Sequence, residues 1–469
     1  MSESKPTSLP EHIFRAYDIR GIVDEDLNED VVRRIGLGLG TLLRGEGRRR
    51  GAVGHDGRAS SAPFAAAVSE GLRDAGMDVT HVGEVPTPLL YFATAKFELD
   101  GGVMITGSHN PIEYNGLKIT RGVWPIWGDE ITRLRTIAEG AEPVAERGSF
   151  EERPIVPTYL AELKEKFRFT PGTRIAIDCG NGTAGPVALP LFESLGLEVD
   201  ALYPEPDATF PNHLPDPEVP KYMKDLCDKI AGGDFTAGFG FDGDSDRVGV
   251  IDEHGVKRSA DHLVLIFARY LLEKLGQGTI IFDVKCSDFL YTDIARRGGT
   301  PILWKTGHSI IKEKMREEGA ILAGELSGHI CVMHDYYGFD DAFYAACLTL
   351  QIMQETGRTC SELFADIPET FYTPEVKVAV SEERKFGVVA ALQDQFQQEL
   401  GGDRVNTIDG VRATWDDGWM LIRASNTTAN LTVRVEGRSP EARSRIAGIV
   451  RDALSAHPVD ASALEEFID

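Results

Sequence analysis

Three apolar runs along the chain each end in an aspartate and lead into a loop of small or basic residues. The runs are AVGHDGRAS, RIAIDCGNGTAG and TIIFDVKCSD, and their aspartates are Asp56, Asp178 and Asp283. Sequence with apolar residues at helical spacing follows, as at 61–76 and 185–196. Because strand, turn and helix in succession form the repeating unit of α/β proteins, the pattern predicts three related α/β domains with mixed sheets.

The C-terminal part of the chain has a different pattern. It predicts a helix at 385–400, strands over GWMLIRAS (418–425) and NLTVRVEG (430–437), and a closing helix at 439–457. This mixture is typical of a smaller α+β domain. The changes of pattern place domain I at 1–153, domain II at 154–255, domain III at 256–368 and domain IV at 369–469, around one central cleft.

Composition and charge exclude several classes of protein. With 469 residues, 42% hydrophobic and 26% charged, the chain is long enough for several cores. A formal net charge of −25 makes nucleic acid and anionic membranes poor partners, because both need a cationic face. Six scattered cysteines without a C-x-x-C pair indicate core thiols rather than a zinc site. The N-terminus lacks the order of a signal peptide and no run of about 18 apolar residues occurs, so we expect a cytoplasmic protein.

A second polar loop follows later in each α/β domain. We name these the serine loop (106–113), the aspartate loop (242–247) and the glutamate loop (324–329), and the polar segment of domain IV is the arginine loop (423–430). Asp242, Asp244 and Asp246 alternate, so that extended backbone would point three carboxylates to one side. A cation makes such a cluster tolerable, and oxygen ligands favour a hard ion such as Mg²⁺.

Two other motifs overlap the aspartate loop, and both fail in context. A calcium-binding EF-hand needs glycine where this chain has Arg247, and the flanking sequence is strand-like. Gly238, Gly240 and Gly243 satisfy the spacing of a dinucleotide-binding loop, yet no helix is predicted after them. A metal site is favoured over a solvated acidic turn, because three carboxylates fall within five residues between two strands.

Ser108 stands in the stretch MITGSHNPIEYNG, between a glycine and a His-Asn-Pro run. A serine hydroxyl close to a divalent cation suits phosphoryl transfer through a phosphoserine, because the metal neutralises charge on the moving group. His109 and Lys118 could carry protons to and from the reacting hydroxyl if burial or nearby cations lower their pKa values. Alone, Ser108 is more typical of a loop or N-cap serine, and the surrounding motifs favour catalysis.

Two further loops supply groups that suit a phosphorylated sugar. The glutamate loop carries Glu325 and Ser327, which could grip neighbouring sugar hydroxyls, and the KTGHS stretch before it adds Lys305 and His308. The arginine loop offers a guanidinium, hydroxyls and backbone N–H groups to a phosphate, with a plain polar turn as the alternative. Its proposed ligands are Arg423, Ser425, Asn426 and Thr427.

Five motifs in one order carry a family resemblance. FRAYDIRG (14–21), TGSHNPIEYNGLK (106–118), DGDSDR (242–247), GELSGH (324–329) and RASNTTANLTVRVE (423–436) together resemble the α-D-phosphohexomutase superfamily. The match is most similar to its phosphomannomutase/phosphoglucomutase branch and runs from about residue 12 to 437. The resemblance implies a four-domain, heart-shaped enzyme with its active site in the central cleft.

The resemblance also implies a role for each matching residue. Ser108 would be phosphorylated in the active form and would hold Mg²⁺ together with Asp242, Asp244 and Asp246. Phosphoryl transfer and proton movement would be assisted by Arg20, His109, Lys118 and Arg247. The substrate would be bound by Tyr17, Asn110, Lys285, Gly307, His308, Glu325, Ser327, His329, Arg423, Ser425, Asn426 and Thr427, of which the last four would clamp the distal phosphate.

The reaction that the resemblance implies is a reversible transfer in two steps. Phospho-Ser108 phosphorylates a hexose monophosphate, the resulting hexose 1,6-bisphosphate turns end over end, and its original phosphate returns to the serine. Hexose 6-phosphate thereby becomes hexose 1-phosphate, with mannose, glucose or both as the sugar. The alternatives are a phosphoglucosamine mutase, a serine-based sugar phosphatase and a non-catalytic sugar-phosphate binder. The sequence carries no signal for an oligomeric state.

Overall fold

A computed structural model describes residues 8–425 and 429–468, which form four sheets in succession along the chain. Domain I contains the strands β1 (Ile19–Ile22), β2 (Arg50–His55), β3 (Asp78–Glu84), β4 (Gly101–Ile105), β5 (Tyr114–Arg121), β6 (Trp124–Pro125) and β7 (Phe150–Glu152). Its helices are α1 (Glu29–Gly45), α2 (Ser61–Asp74), α3 (Thr87–Lys96) and α4 (Asp129–Gly140). The strand order is β1-β5-β4-β2-β3-β7, and β6 pairs with β5.

Domains II and III contain smaller sheets. Domain II consists of α5 (Val156–Lys166), β8 (Arg174–Asp178), α6 (Gly185–Ser194), β9 (Glu198–Leu202), α7 (Lys224–Ala231), β10 (Ala237–Phe241), β11 (Val248–Asp252) and β12 (Lys257–Arg258), in the strand order β12-β11-β10-β8-β9. Domain III consists of α8 (Ala260–Leu275), β13 (Gly278–Asp283), α9 (Phe289–Arg296), β14 (Gly299–Trp304), α10 (His308–Glu318), β15 (Leu322–Gly324), β16 (Ile330–Val332), α11 (Ala342–Thr356) and α12 (Cys360–Phe364), in the strand order β14-β13-β15-β16.

Domain IV is an antiparallel sheet with two long helices. Its elements are β17 (Phe371–Tyr372), β18 (Val376–Ala379), α13 (Glu382–Leu400), β19 (Val405–Asn406), β20 (Val411–Trp415), β21 (Gly418–Ala424), β22 (Asn430–Gly437) and α14 (Pro440–Ser455). The order is β17-β22-β21-β20-β19, with β18 also paired to β22. The predicted helices and strands of this domain are confirmed within a few residues, and so is its α+β class.

The same four-strand arrangement recurs in the first three sheets. It is β5-β4-β2-β3 in domain I, β11-β10-β8-β9 in domain II and β16-β15-β13-β14 in domain III. In each, the first three strands along the chain are parallel and the fourth is antiparallel. The prediction of three related α/β domains with mixed sheets is therefore confirmed, while the residue numbers chosen for the boundaries stay predictions.

This repeat places the three polar loops at equivalent positions. The serine, aspartate and glutamate loops join β4 to β5, β10 to β11 and β15 to β16, at the carboxyl ends of parallel strands. The aspartates that end the central strands support two of these loops. Asp56 Oδ2 accepts a hydrogen bond from Gly107 N at 2.9 Å, and Asp283 Oδ1 accepts one from Leu326 N at 3.2 Å. Asp56 and Asp283 therefore each hold one of the polar loops through a backbone N–H group.

Domains I to III share a hydrophobic core, and domain I has a second core of its own around α1 and α2. One continuous cluster of buried residues runs through domains I to III, and includes Leu90, Phe239 and Phe282. Domain IV has a separate core around α13 and β21. Its apolar contact with domain III is a small cluster, built from Val284, Leu303, Ile408, Trp419 and Leu421. Domains I to III thus share packing that domain IV mostly lacks.

Two simpler predictions can be compared with the structure. All six cysteines are free thiols, and five of them are buried. Among the described residues, no helix has both the length and the apolar character needed to cross a membrane.

Candidate active site

Ser108 lies in a constrained turn at the carboxyl end of β4. Its φ is 49°, a left-handed conformation that is uncommon for residues other than glycine. Its N–H donates to Thr106 Oγ1 at 2.9 Å, and the residue is only 4% exposed. The hydroxyl oxygen lies 3.0 Å from Asp242 Oδ2 of domain II and 3.0 Å from His109 Nδ1. The serine is therefore held against the aspartate loop.

Arg58 holds the serine loop in this shape. Its guanidinium donates to four backbone carbonyls, those of Ser108 (3.0 Å), Asn110 (2.6 Å), Pro111 (2.8 Å) and Tyr114 (3.0 Å). The side chain is buried and paired with Asp56 at 3.4 Å. Because buried carbonyls need donors, the loop depends on this one residue for much of its hydrogen bonding.

The three aspartates of the aspartate loop converge, but through a turn rather than extended backbone. Ser245 has a φ of 59°, and its N–H donates to the carbonyl of Asp242. This turn brings one oxygen from each of Asp242, Asp244 and Asp246 within 4.8 Å of the others, and all three side chains are buried. The predicted cluster forms, and β10 and β11 on either side of it exclude both the EF-hand and the dinucleotide-binding interpretation.

Two cations face these carboxylates. Lys118 Nζ, on β5, donates to Asp244 Oδ2 at 2.7 Å and to Asp246 Oδ2 at 2.5 Å. Arg247 Nε donates to Asp242 Oδ2 at 3.1 Å. Burial works against ionisation of Asp244, but the charge and hydrogen bond of Lys118 hold its pKa below the usual value. Burial raises the pKa of Asp242 to about 7, although Arg247 opposes this.

The carboxylate cluster fits a divalent cation. Among the described residues, the buried oxygens Asp244 Oδ1 and Asp246 Oδ1 have no hydrogen-bond partner. Unpaired buried oxygens are costly, and a hard cation satisfies them. With Asp242 and the Ser108 hydroxyl beside them, these atoms form an all-oxygen donor set of the kind that Mg²⁺ prefers.

His109 and Lys118 differ in their fitness to accept a proton. Burial, together with the positive charges of Arg247 and Arg20, lowers the pKa of His109 well below its ordinary value. For Lys118, burial favours the neutral amine, but Asp244 and Asp246 raise its pKa well above the ordinary value. The lowered pKa that proton transfer requires is thus found at His109, whereas Lys118 is held as a cation.

A cavity of about 440 Å³ opens in front of Ser108. Several residues predicted as catalytic or substrate-binding line it: Tyr17, Arg20, Ser108, His109, Asn110, Lys118, His308 and His329. Arg20 is oriented by Asp18, to which its Nη2 donates at 2.7 Å. Domains I and III therefore form opposite walls of one chamber.

A buried carboxylate supports the two histidines of this chamber. The rings of His308 and His329 are stacked, with centroids 5.1 Å apart. Asp340 Oδ2 lies 3.0 Å from His329 Nδ1 and 3.6 Å from His308 Nδ1, while its Oδ1 accepts from Lys312 Nζ at 2.8 Å. Asp246 and Asp340 raise the pKa of His329 against the effect of burial. The imidazole of His329 thereby connects the aspartate loop, through Asp246, with Asp340 of domain III.

The glutamate loop meets the 305–308 segment beside the chamber. Glu325 Oε1 accepts from Gly307 N at 2.6 Å, and Tyr17 Oη donates to the carbonyl of Thr306 at 3.1 Å. Burial raises the pKa of Glu325 to about 7. Ser327 lies half-buried in the turn of the same loop. The residues predicted to bind sugar hydroxyls therefore adjoin the wall that carries Tyr17.

Lys285 and two residues of the predicted phosphate clamp, Arg423 and Ser425, lie at the junction of domains III and IV. Lys285 Nζ pairs with Glu375 Oε1 at 2.7 Å, and Arg423 Nε donates to Asp409 Oδ2 at 3.1 Å. The carbonyl of Ser425 accepts from Lys385 Nζ at 2.6 Å, which fixes the start of the arginine loop. Two predicted members of the clamp, Asn426 and Thr427, fall outside the described residues.

Sequence reasoning missed the residues that support the site. Arg58 stood in the same AVGHDGRAS stretch that supplied Asp56, and a basic residue after a strand-ending aspartate was its only signal. The other supporting residues come from segments that the sequence motifs did not include. They are Thr87, which donates to Asp244, the pair Asp340 and Lys312, Glu375 beside Lys285, and Asp409 beside Arg423. They carried no local motif.

The clamp on the serine loop leads to a prediction for Arg58→Lys. Lysine keeps the charge but cannot donate to four carbonyls in the fixed directions of a guanidinium. We expect faster amide hydrogen exchange across 106–114, measured by mass spectrometry on peptides, with the rest of domain I unchanged. The exposed Arg445→Lys on α14 is the control. Unaltered exchange in the serine loop would contradict this role.

Comparisons with known proteins agree with this geometry. Four families of phosphoglucomutase/phosphomannomutase domains match in order: alpha/beta/alpha domain I at 11–142, domain II at 157–255, domain III at 259–371 and the C-terminal domain at 375–453. A phosphomannomutase/phosphoglucomutase of Pseudomonas aeruginosa is 41% identical over 98% of this chain and 99% of its own. A phosphoglucomutase of Neisseria meningitidis is 38% identical over 96% and 98%.

A solved structure extends the similarity to three dimensions. A phosphoglucomutase/phosphomannomutase family protein of Burkholderia thailandensis superposes with a TM-score of 0.88, at 38% identity, over 96% of this chain and 98% of that one. The matches cover all four sheets and every polar loop of the cleft. The chain therefore belongs to the phosphoglucomutase/phosphomannomutase family of the α-D-phosphohexomutase superfamily.

Proposed function

We propose that this protein is a phosphohexomutase that interconverts hexose 6-phosphate and hexose 1-phosphate, with mannose, glucose or both as the sugar. The observation that carries the proposal is the position of Ser108. Its hydroxyl lies 3.0 Å from both Asp242 Oδ2 and His109 Nδ1, and it faces a cavity of about 440 Å³. A phosphoserine at this position would lie next to the proposed metal site, a neutral imidazole and the cavity that would hold the substrate.

In the first half-reaction, phospho-Ser108 gives its phosphoryl group to the free hydroxyl of a hexose monophosphate. The bond between phosphorus and Ser108 Oγ breaks and a bond to the sugar oxygen forms, while the proton of the sugar hydroxyl is taken by a base and ends on Ser108 Oγ. When the serine is phosphorylated again in the second half-reaction, neutral His109 suits removal of the proton from Ser108 Oγ. In both directions the charged Lys118 and Arg20 stabilise the negative oxygens of the group in transit.

Magnesium would be held by Asp242, Asp244 and Asp246 together with the oxygen of Ser108. When bound there, it neutralises charge on the phosphoryl group during transfer. Arg247, paired with Asp242, fixes one of these carboxylates from the other side. Thr87 donates to Asp244 and orients a second one.

The second half-reaction needs the bisphosphate to turn and bind in reverse. A single phosphate clamp then serves both orientations, and the arginine loop with Arg423 and Ser425 is the proposed clamp. Glu325 and Ser327 would hold hydroxyls near the middle of the ring, a position that changes little when the sugar turns. Hexose 1,6-bisphosphate would accordingly act both as intermediate and as activator of the dephosphorylated enzyme.

The relatives favour this reaction over the alternatives. They are named phosphomannomutase/phosphoglucomutase or phosphoglucomutase, which supports mannose and glucose over glucosamine. A serine phosphatase would need neither a distal clamp nor a bisphosphate. We also propose the cytoplasm as the location, because a doubly charged sugar phosphate does not cross a bilayer unaided.

The role of Ser108 predicts a phosphorylated protein and an inactive alanine variant. Mass spectrometry of the isolated protein should find phosphate on Ser108 in at least part of the molecules. Ser108→Ala should lose nearly all mutase activity yet still bind glucose 6-phosphate in calorimetry, because the clamp is intact. The exposed Ser455→Ala on α14 should behave as wild type. Full activity of Ser108→Ala would rule out a phosphoserine mechanism.

The metal site predicts a linked loss of Mg²⁺ affinity and turnover. Asp244→Asn removes one charge from the oxygen cluster, and we expect each quantity to fall by at least about tenfold. Titration calorimetry with Mg²⁺ and a coupled mutase assay measure the two effects. Asp228→Asn, an exposed carboxylate paired with Lys224, is the control. Activity that survives chelation with EDTA would count against the metal.

The clamp predicts equal losses at both ends of the reaction. Arg423→Ala removes a charge-assisted contact, on the order of 1.5–3 kcal/mol, from whichever phosphate is not reacting. The affinities for glucose 1-phosphate and glucose 6-phosphate should therefore fall by similar factors. The exposed Arg404→Ala should change neither affinity. A phosphatase would instead hydrolyse simple aryl phosphates independently of Arg423 and of added glucose 1,6-bisphosphate. Inorganic phosphate as the main product would refute the mutase.

A further inference from the structure

The turn 406–410 of domain IV lies between the arginine loop and domain III. Ile408 packs into the small apolar cluster that contains Val284 and Leu303 of domain III. On its other side the turn touches β21: a Cβ built on Gly410, whose φ is 90°, would lie 2.3 Å from the carbonyl oxygen of Ile422. Gln393 Nε2, from α13, donates to the carbonyl of Gly410 at 2.7 Å. The turn is therefore fixed against both neighbours.

One oxygen atom at this turn joins the two domains. Asp409 Oδ2 accepts from Arg423 Nε at 3.1 Å and from Thr306 N, in domain III, at 3.0 Å. The Arg423 side chain is 9% exposed and that of Asp409 is 16% exposed. A hydrogen bond between charged groups in such a place is directional and stronger than a neutral one.

Thr306 is also held by the opposite wall of the cleft. Its carbonyl accepts from Tyr17 Oη of domain I, and its hydroxyl donates to Asp283 Oδ2 at 3.0 Å. The next amide, Gly307 N, donates to Glu325. Three domains therefore meet at the peptide groups of Thr306, and Asp409 is the contact from domain IV.

We propose that Asp409 is a positioning residue that orients the guanidinium of Arg423 for phosphate and ties it to the 305–308 segment of domain III. The inference rests on the proposed function, since it concerns the same clamp. Asp409 contacts the Nε edge of Arg423, and a guanidinium held at that edge directs its remaining nitrogens elsewhere. Asp409 touches no reacting atom and acts through Arg423 and Thr306.

The sign of its effect distinguishes positioning from simple electrostatics. A carboxylate near an anion-binding site repels the anion, so its neutralisation should strengthen phosphate binding if charge alone mattered. If the carboxylate instead fixes the arginine against Thr306 of domain III, its neutralisation weakens phosphate binding. Asp409→Asn separates these cases, because the amide keeps the size of the side chain and removes the charge.

The experiment compares Asp409→Asn with Asp416→Asn. Asp416 is also a carboxylate of domain IV paired with an arginine, Arg404, but its side chain is 90% exposed. For Asp409→Asn we expect KM for glucose 1-phosphate and glucose 6-phosphate to rise together, on the order of tenfold, with a smaller change in kcat. Asp416→Asn should stay within about twofold of wild type. An unchanged or lowered KM for Asp409→Asn would overturn the proposal.

A double-mutant cycle with Arg423→Ala tests whether Asp409 affects phosphate binding through Arg423. If Asp409 acts through Arg423, adding Asp409→Asn to Arg423→Ala should change the binding of glucose 6-phosphate by less than about twofold. An undiminished effect in that background would overturn the proposal. Hydrogen exchange of the peptide 303–309 should also accelerate in Asp409→Ala, which removes the acceptor of Thr306 N. If Asp409→Asn does not fold, Asp409→Glu, which keeps the charge but displaces it, takes its place with the same expected rise.

Calorimetry with glucose 6-phosphate separates this proposal from the proposed function. A wild-type protein without mutase activity would contradict the function. The affinities of wild type and Asp409→Asn for glucose 6-phosphate would still show whether Asp409 supports phosphate binding. If the wild type is active and Asp409→Asn binds glucose 6-phosphate as well as Asp416→Asn does, only the positioning role is contradicted.

Discussion

The buried carboxylates of the aspartate loop set the arrangement of the cleft. Three carboxylates with oxygens within 4.8 Å of one another can be buried only if positive charge faces them. Lys118 of domain I and Arg247 of domain II supply part of that charge. Ser108 is drawn to the same place by its hydrogen bond to Asp242. Burial of the aspartates in domain II thus requires the contact with Lys118 of domain I, whatever the chemistry of the site.

Repetition of one sheet topology allows these groups to meet. Each of the first three domains presents the loop after its third parallel strand at the same edge of its sheet. A shared hydrophobic core then keeps the three edges in a fixed relation. The precision that phosphoryl transfer requires comes from this packing, since a reacting group displaced by about 1 Å loses much of its rate advantage.

Domain IV follows a different principle. It has its own core and meets domain III through a small apolar cluster, two ion pairs and several hydrogen bonds. The hydrogen bonds run from Arg412 to the carbonyls of Val284 and Cys286, from Ser287 to Glu436 and from Thr306 to Asp409. A domain joined mainly by polar contacts can move more readily than one that shares a core, and the proposed turning of the substrate between half-reactions needs such movement. Its clamp is accordingly tied to the cleft by polar contacts rather than by buried apolar area.

The sequence by itself determined the elements and the chemistry of the loops. Apolar runs that end at Asp56, Asp178 and Asp283 specify the central strands, because burial on both faces of a sheet demands them. The alternation of Asp242, Asp244 and Asp246 indicated a metal, since such a local charge density is otherwise unfavourable. Only the tertiary structure decided which distant groups support them. Arg58 on the serine loop, Lys118 opposite the aspartates, and Asp409 between two domains depend on long-range packing, and a pairing between residues far apart in the chain leaves no periodic signal in the sequence.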